Sequence, residues 1–384
     1  MKKLLCFILV IIFALAAIAS CKQECEHEWN TRTIKPTCAA GGYFETYCKN
    51  CDEIIITEES EPLAHSLVPM YFTDNTHHWY VCEECNGVSD KEAHTLDSDG
   101  CCTVCETPAE NNPAVVYTVS ENGEYAEVTG YTGIASKVRI AAEYNGVKVK
   151  AIADNAFADK KNITTVIIPN GVEAIGAGAF ARCEMLSYIS IPDSVTEIGE
   201  AAFTGCKSLP YIKLPINLKT ITTGLFFGCE ALNSIKIPRS VTRIEERAFY
   251  KCKSLTQIII PDNVKAVGSN AFGYCSSLTT AVIGRGVGYI NSATFIMCNE
   301  LTSIRILNGV TSIGYNAFLN CKNLKSIEIP KSVTSIAMKA VEDCDNLKFI
   351  YYTGSASDWK KINIELSAFD YNDLTITYNY KHGN

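Results

Sequence analysis

Apolar residues recur along this chain at a fixed interval of 23 positions. Cys183, Cys206, Cys229, Cys252, Cys275, Cys298, Cys321 and Cys344 follow it without insertion or deletion. Phe157, Phe180, Phe203, Phe226, Phe249, Phe272, Phe295 and Phe318 run in phase with them, as do Ile152, Ile175, Ile198, Ile221, Ile244, Val267, Ile290, Ile313 and Ile336. A leucine column follows from Leu186 to Leu347, with Ile163 at its head. Residues that recur so strictly occupy equivalent places in stacked coils, because one coil of this length cannot bury its own apolar face.

Nine copies of the unit run from Ile152 to about Tyr352, in the form Ile-Gly-x-x-Ala-Phe-x-x-Cys-x-x-Leu-x-x-Ile-x-Ile-Pro-x-x-Val-x-x. Leu-x-x-Ile-x-Ile alternates as a strand does, and Ala-Phe-x-x-Cys has the spacing of one helical turn. Each coil therefore reads as a strand, a turn set by proline at Pro169, Pro192, Pro215, Pro238, Pro261 or Pro330, and a helical return. The expected fold class is an α/β solenoid with a parallel sheet on one face.

Asn122-Gly123 and Asn145-Gly146 each separate two β-prone runs and predict type I′ hairpins, placed to cover the open end of the stack. After Tyr351 the pattern drifts, Val341 having already replaced the phenylalanine, as expected of a terminal cap. The predicted organisation is a signal segment (1–20), two Cys/His-rich modules (21–68 and 69–106) and a polar linker (107–113). A hairpin cap (114–151), the repeats (152–352) and a C-terminal cap (353–384) follow.

The repeat Ile-Pro-x-x-Val-x-x-Ile-Gly-x-x-Ala-Phe-x-x-Cys-x-x-Leu resembles the BspA-type, or Treponema pallidum-type, leucine-rich repeat of bacterial surface proteins. That resemblance covers residues 152–352 and implies a non-enzymatic binding role, adhesin-like, toward a host matrix or bacterial surface protein, with a glycan as a further candidate. Cys25-x-His27-x-Trp29 and Pro36-Thr37-Cys38, with the CxxC pairs that follow, resemble zinc-ribbon-like modules found beside such repeats.

Composition agrees with an ordered chain: 47% of the 384 residues are apolar. Lys2 and Lys3 precede an apolar run from Leu4 to Ala19, the layout of an export signal. Ile18-Ala19-Ser20-Cys21 resembles a lipobox, which makes Cys21 the expected lipidation site, a tether to the membrane and not a span. Residues 21–112 carry 18 acidic and 5 basic side chains, whereas the remainder is close to neutral; no basic stripe for nucleic acid is evident.

Cysteine spacing adds candidate metal chemistry. Cys82, Cys85, Cys102 and Cys105 form two CxxC pairs with 16 residues between them, which suits a tetrahedral zinc site. His78, Cys82, Cys85 and His94 are a competing set, and His27, Cys38, Cys48, Cys51 and His65 are the candidates in the first module. Disulfides, including Cys25 with Cys38, are the alternative for an exported chain. The repeat cysteines read as free, buried thiols.

Catalysis finds little support. After residue 112 the only histidine is His382, so no Ser-His or Cys-His pair fits within the solenoid, and no HExxH helix is present. Gly284-x-Gly286-x-Gly288 falls where other repeats turn a corner and reads as structural. The x positions of Leu-x-x-Ile-x-Ile are expected to form one continuous outer face about 40 Å long. On it Tyr188, Tyr211, Lys213, Lys236, Gln257, Ile259 and Arg305 are the candidate ligand contacts.

Overall fold

The computed structural model describes residues 114–369 and 374–381, together with six strands nearer the N-terminus. The chain divides into two compact units, Met1–His94 and Thr95–Asn384. In the first, Trp29–Ile34, Tyr43–Cys48 and Ile54–Glu59 form an antiparallel sheet, and Phe72–Thr73, His77–Trp79 and Glu92–Ala93 form another. These strands lie in a stretch whose sequence reads as irregular.

The second unit is a parallel β-solenoid, each coil of which has three sides. The front side carries the predicted Leu-x-x-Ile-x-Ile strands, such as Gln257–Ile260 and Thr280–Ile283, paired parallel with Gln257 opposite Thr280. A second parallel ladder of two-residue strands, not anticipated from sequence, runs through the isoleucine column: Ala174–Ile175, Glu197–Ile198, Arg243–Ile244 and their equivalents. These strands are too short for alternation to show, yet each places one residue inward and one outward. Ile175, Ile198 and Ile244 are buried while Glu197 and Arg243 are exposed.

The third side corrects the expected helical return: Ala-Phe-x-x-Cys is a run of turns, and the solenoid is essentially all-β. In one coil Ala248, Tyr250 and Cys252 donate their N–H to carbonyls three residues back. The alternate residues Arg247, Phe249 and Lys251 donate instead to Ser269, Ala271 and Gly273 of the next coil, at 2.8 to 3.0 Å. An α-helix would keep every N–H for its own i−4 carbonyl and hold φ negative throughout. Here Arg247 and Lys251 have φ of 52° and 61°, and Ala201, Asn270, Tyr274 and Ala293 repeat the conformation. A spacing of three between apolar residues fits both structures; the left-handed residues divert every second amide outward.

Close approach of successive coils explains the glycine after the isoleucine. A Cβ on Gly199 would run into the backbone of Gly176 and Ala177, which cannot retreat without opening the stack.

The core is a set of columns. Phe157 to Phe318 are fully buried and stack coil upon coil, with centroids 5.0 to 5.8 Å apart. The cysteines from Cys183 to Cys344 are free thiols, as expected. Each Sγ donates to the carbonyl of the phenylalanine 26 residues earlier, for example Cys229 to Phe203 at 3.1 Å and Cys275 to Phe249 at 3.2 Å. Sulfur thus fills an apolar slot while giving a second donor to a carbonyl that already accepts a backbone N–H, as Phe203 O does from Cys206 at 3.2 Å.

Both Asn-Gly runs close hairpins, but Asn122-Gly123 does so within the longer loop 120–125 and not in the expected type I′ turn. Gly123 has positive φ, 71°, while Asn122 does not, and Ser120 N–H donates to Tyr125 O at 2.9 Å. Val115–Val119 pairs antiparallel with Ala126–Tyr131, and Glu143–Tyr144 with Val147–Ile152. Asn145 and Gly146 both have positive φ, 50° and 79°, the type I′ signature. At the other end a single helical turn, Ala356–Trp359, is capped by Ser355 and Asp358 acting reciprocally. It buries Trp359 against Tyr352 and Phe369, in place of the missing phenylalanine of the last coil.

Phe249 stacks on Phe226 and Phe272 with no exposed surface. Phe249→Ala is therefore expected to lower unfolding free energy by about 3–5 kcal/mol, against less than about 0.5 kcal/mol for the exposed Lys265→Ala; denaturant titration of the two variants measures the difference. Burial pushes the Cys229 and Cys275 thiols from 9.0 up to about 12. The native state then keeps protons that the unfolded chain releases, so stability is full below pH 9.0 and falls as pH rises toward 12. Unfolding midpoints measured across that range should decline, and the decline should be shallower in Cys229→Ala.

Candidate ligand-binding face

The front side is the face expected to meet a ligand, and its frame is discontinuous. Lys137–Arg139, Thr165–Ile167 and Tyr188–Ser190 make one sheet. Gln257–Ile260, Thr280–Ile283, Ser303–Ile306, Ser326–Ile329, Phe349–Tyr352 and Thr375–Thr377 make another. The two rungs between them, carrying Tyr211 with Lys213 and Ser234 with Lys236, contribute no strand, which corrects the expected continuous sheet.

Pro210 accounts for the start of the break. In other coils the residue after the core leucine donates its N–H to the preceding rung, as Ser187 does to Thr164 at 2.9 Å and Thr279 to Thr256 at 2.8 Å. Proline has no N–H to give. Pro210 can only accept, and does so from Asn233 at 3.0 Å. This proline sits outside the regular proline column, and its consequence for the ladder was not anticipated.

Alternation nevertheless sends the expected side chains outward. Ile258 and Ile260 are buried while Gln257 and Ile259 between them are exposed, Ile259 to 64%. Tyr188, Tyr211 and Lys213 are half-buried, and Lys236 is exposed. Tyr188 and Tyr211 share one outward row and Lys213 and Lys236 the other, at equivalent places in successive coils.

Two of the expected contacts are held by neighbours. Lys213 Nζ lies 3.4 Å from Asp193 Oδ2, and Arg305 Nε 3.2 Å from Glu328 Oε2 in the next strand, where Arg305 and Glu328 are register partners. The half-exposed Lys213–Asp193 pair lies off the strands and contributes little net stability, whereas Arg305 and Glu328 pair across strands with Glu328 mostly buried, each fixing the other in place. They also divide the sheet surface: Gln257, Ile259 and Val282 lie on one side of the Arg305–Glu328 pair and Phe349, Tyr351 and Tyr380 on the other.

Tyr380 was not among the expected contacts. It comes from the C-terminal cap, its ring 4.6 Å from that of Tyr351, and its strand-like run from Leu374 was the available signal. Partial burial, with Glu328 and Tyr351 adding to it, raises its phenol above 10.0, so the hydroxyl stays a neutral hydrogen-bonding group. Phe349 is 42% exposed and stacks beside Tyr351 at 6.3 Å.

The remaining chemistry of the repeats is structural. Gly284 and Gly286 abut the backbone of Ile260, Pro261, Asp262 and Val264, so no anion-binding loop is formed there. No group of three or more His, Cys, Asp or Glu side chains placed to hold a metal occurs among the described residues. The expected lipidation site Cys21 and the metal candidates His27, Cys38, Cys51, His65, Cys82, Cys85, His94, Cys102 and Cys105 lie outside the described residues. Cys48 and His78 fall on described strands, and only their backbone is placed. No helix among the described residues is long and apolar enough to cross a membrane.

Comparison with curated proteins returns no match. Among solved structures, a leucine-rich repeat protein of Treponema pallidum is 25% identical with a TM-score of 0.42, covering 56% of this chain and 91% of its own. A leucine-rich cell surface protein of Faecalibacterium prausnitzii is 23% identical, TM-score 0.38, over 77% of this chain and 98% of that one. The pneumococcal vaccine antigen PcpA is 16% identical, TM-score 0.41, over 81% and 94%. The family model of the BspA type leucine-rich repeat region matches residues 150–279 and 242–375, together more than half the chain. The repeated core columns and the matched span agree, and the chain belongs to the BspA-type leucine-rich repeat family.

Proposed function

We propose that this is a non-enzymatic, lipid-anchored surface protein whose front face binds a protein ligand. The observation that carries the reading is the face itself: two outward rows of mixed aromatic, aliphatic and cationic side chains on a backbone locked coil to coil, in a family of repeat proteins. Aromatic and arginine side chains are favoured interface anchors, and a rigid frame reduces the ordering cost of binding. Nothing in the repeats supplies a base beside a nucleophile, since residues 113–381 contain no histidine. The apolar run before Cys21 supports export and anchoring, and the similar proteins of Faecalibacterium prausnitzii and the pneumococcus are a cell surface protein and a vaccine antigen.

In the same reading Cys82, Cys85, Cys102 and Cys105, or His78 and His94 with the first pair, hold a structural zinc ion, as do ligands drawn from His27, Cys38, Cys48, Cys51 and His65. The spacing of the CxxC pairs supports this. The alternative, a metal-handling protein with the repeats as scaffold, differs in exchange behaviour.

Binding of the full mature chain to immobilised host matrix proteins should weaken at least about tenfold in a Tyr211→Ala, Lys236→Ala double variant whose thermal unfolding is unchanged. Retained affinity would place the contact elsewhere. Metal analysis of the purified chain should give near-stoichiometric zinc that resists a competing chelator, as structural sites do. Rapidly exchanging zinc would favour metal handling, and an absence of zinc with oxidised cysteines would favour disulfides.

A further inference from the structure

The corner between the front sheet and the back ladder carries a second surface. It is built by two residue columns, one directly after the proline and one three residues later. Over four consecutive coils the first column reads Ile216, Arg239, Asp262, Arg285, and the second reads Lys219, Thr242, Lys265, Gly288. Lys219, Arg239, Lys265 and Arg285 are all exposed. None of their side chains takes part in an ion pair among the described residues.

Coil stacking converts 46-residue separations into a regular spacing. Thr242 N–H donates to Lys219 O at 2.8 Å and Lys265 N–H to Thr242 O at 2.7 Å, so the second column climbs one coil at a time. In the first column Arg285 N–H donates to Asp262 Oδ1 at 2.8 Å, while the tight turns close through Val241 to Pro238 and Val264 to Pro261. With about 4.8 Å per coil, each column presents a cation about every 10 Å. The two columns are offset by one coil, so the four cations zigzag along the solenoid axis.

Arg243, on the back ladder beside them, adds a fifth charge, held loosely by Glu245 at 3.7 Å. Asp262 is the one carboxylate in either column over these coils, and it is occupied by the Arg285 amide. Below the run the columns carry Asp193 and Thr196, and above it Asn308 and Thr311, so the charged stretch is bounded at both ends. No basic stripe is evident in the linear sequence because these residues are scattered over 67 positions of a chain whose net charge is −8.

We propose that this corner binds an extended polyanionic glycan, a sulfated or uronic acid polysaccharide, lying along the solenoid axis. The surface is two columns wide, and its only apolar member is Ile216 at one end, so it lacks the apolar centre a protein partner needs. Duplex DNA carries about one charge per 1.7 Å and would leave most of its phosphates unmatched. Single strands favour aromatic platforms between the cations, and neither column has one. A stiff acidic polysaccharide offers anionic groups alternately on its two edges at sugar-unit intervals, the pattern that staggered columns meet. This surface is distinct from the front face and does not depend on its ligand.

The test uses the full mature chain with heparin and chondroitin sulfate as probes, measured by affinity chromatography and calorimetry at low and rising salt. The unaltered protein should bind, with affinity falling steeply with salt. A variant with Lys219→Gln, Arg239→Gln, Lys265→Gln and Arg285→Gln should bind at least about tenfold more weakly with unchanged thermal unfolding. A control with Lys160→Gln, Lys322→Gln, Lys325→Gln and Lys348→Gln removes equal charge elsewhere and should bind as the parent does. No binding by the parent, or equal loss in both variants, overturns the proposal. Tighter binding of single-stranded DNA or of an acidic peptide, lost in the same corner variant, would reassign the surface to that class of ligand.

Discussion

Backbone hydrogen bonding between successive coils is the constraint from which the other features follow. On the front side and the back ladder it takes the form of parallel strand pairing, and on the third side every second amide of the turn run donates to the next coil. Three lines of bonds must close at once, so extra residues can be carried only outside those lines, as the helical turn Ala356–Trp359 is in the last coil, where Ser335 pairs with Asn363. The uninterrupted 23-residue period is the result. A one-residue insertion would shift one line out of register and turn a buried row toward solvent. Stability in such an array is a sum of coil and neighbour-interface contributions.

The same constraint selects residue types that would be unfavourable elsewhere. A non-glycine residue with positive φ costs about 1–2 kcal/mol, yet Ala201, Arg247, Lys251 and Tyr274 all adopt it. They do so because the conformation turns alternate amides toward the adjoining coil, and each such bond satisfies a donor that the turn could not. Cysteine beneath them has a matching logic. A serine hydroxyl would bond the phenylalanine carbonyl more strongly but would bring a more polar group into a slot with no access to water. The thiol is polar enough to reach the carbonyl and apolar enough to sit beside the stacked rings.

What could be read in advance depended on whether the signal was carried by a column or by a contact between coils. Columns were legible: the buried phenylalanines, the free cysteines, the alternating Gln257 to Ile260 strand and the Asn145-Gly146 turn all follow from spacing and residue type. The helical return was misread because Phe and Cys three residues apart suit an α-turn and a series of i−3 turns equally well. The back ladder was missed because two-residue strands are too short for alternation. Pro210 acts through the bond it cannot make to another coil, and Lys213 with Asp193 and Arg305 with Glu328 meet across 20 and 23 residues. No local window contains these partners. The metal candidates in 21–106 rest on spacing alone, which names ligand types and leaves the choice of set open.

A solenoid of this kind separates the problem of folding from the problem of recognition. Inward columns are shared by all coils and tolerate little change, whereas outward side chains such as Lys213 and Phe349 touch neighbours in their own or the adjoining coil. Substituting Ile259 or Arg305 alters one rung of the front sheet, and substituting Arg239 alters one step of the corner, without disturbing the phenylalanine and cysteine columns beneath. Spacing along the axis is set by the backbone and spacing around the coil by the turn, so side chains far apart in sequence stand at fixed intervals. Preorganised rows of this kind reduce the entropy lost on binding, whichever ligand they meet. The front rows and the corner columns lie on different sides of the same coils, so one rigid frame can present aromatic contacts in one direction and free cations in another.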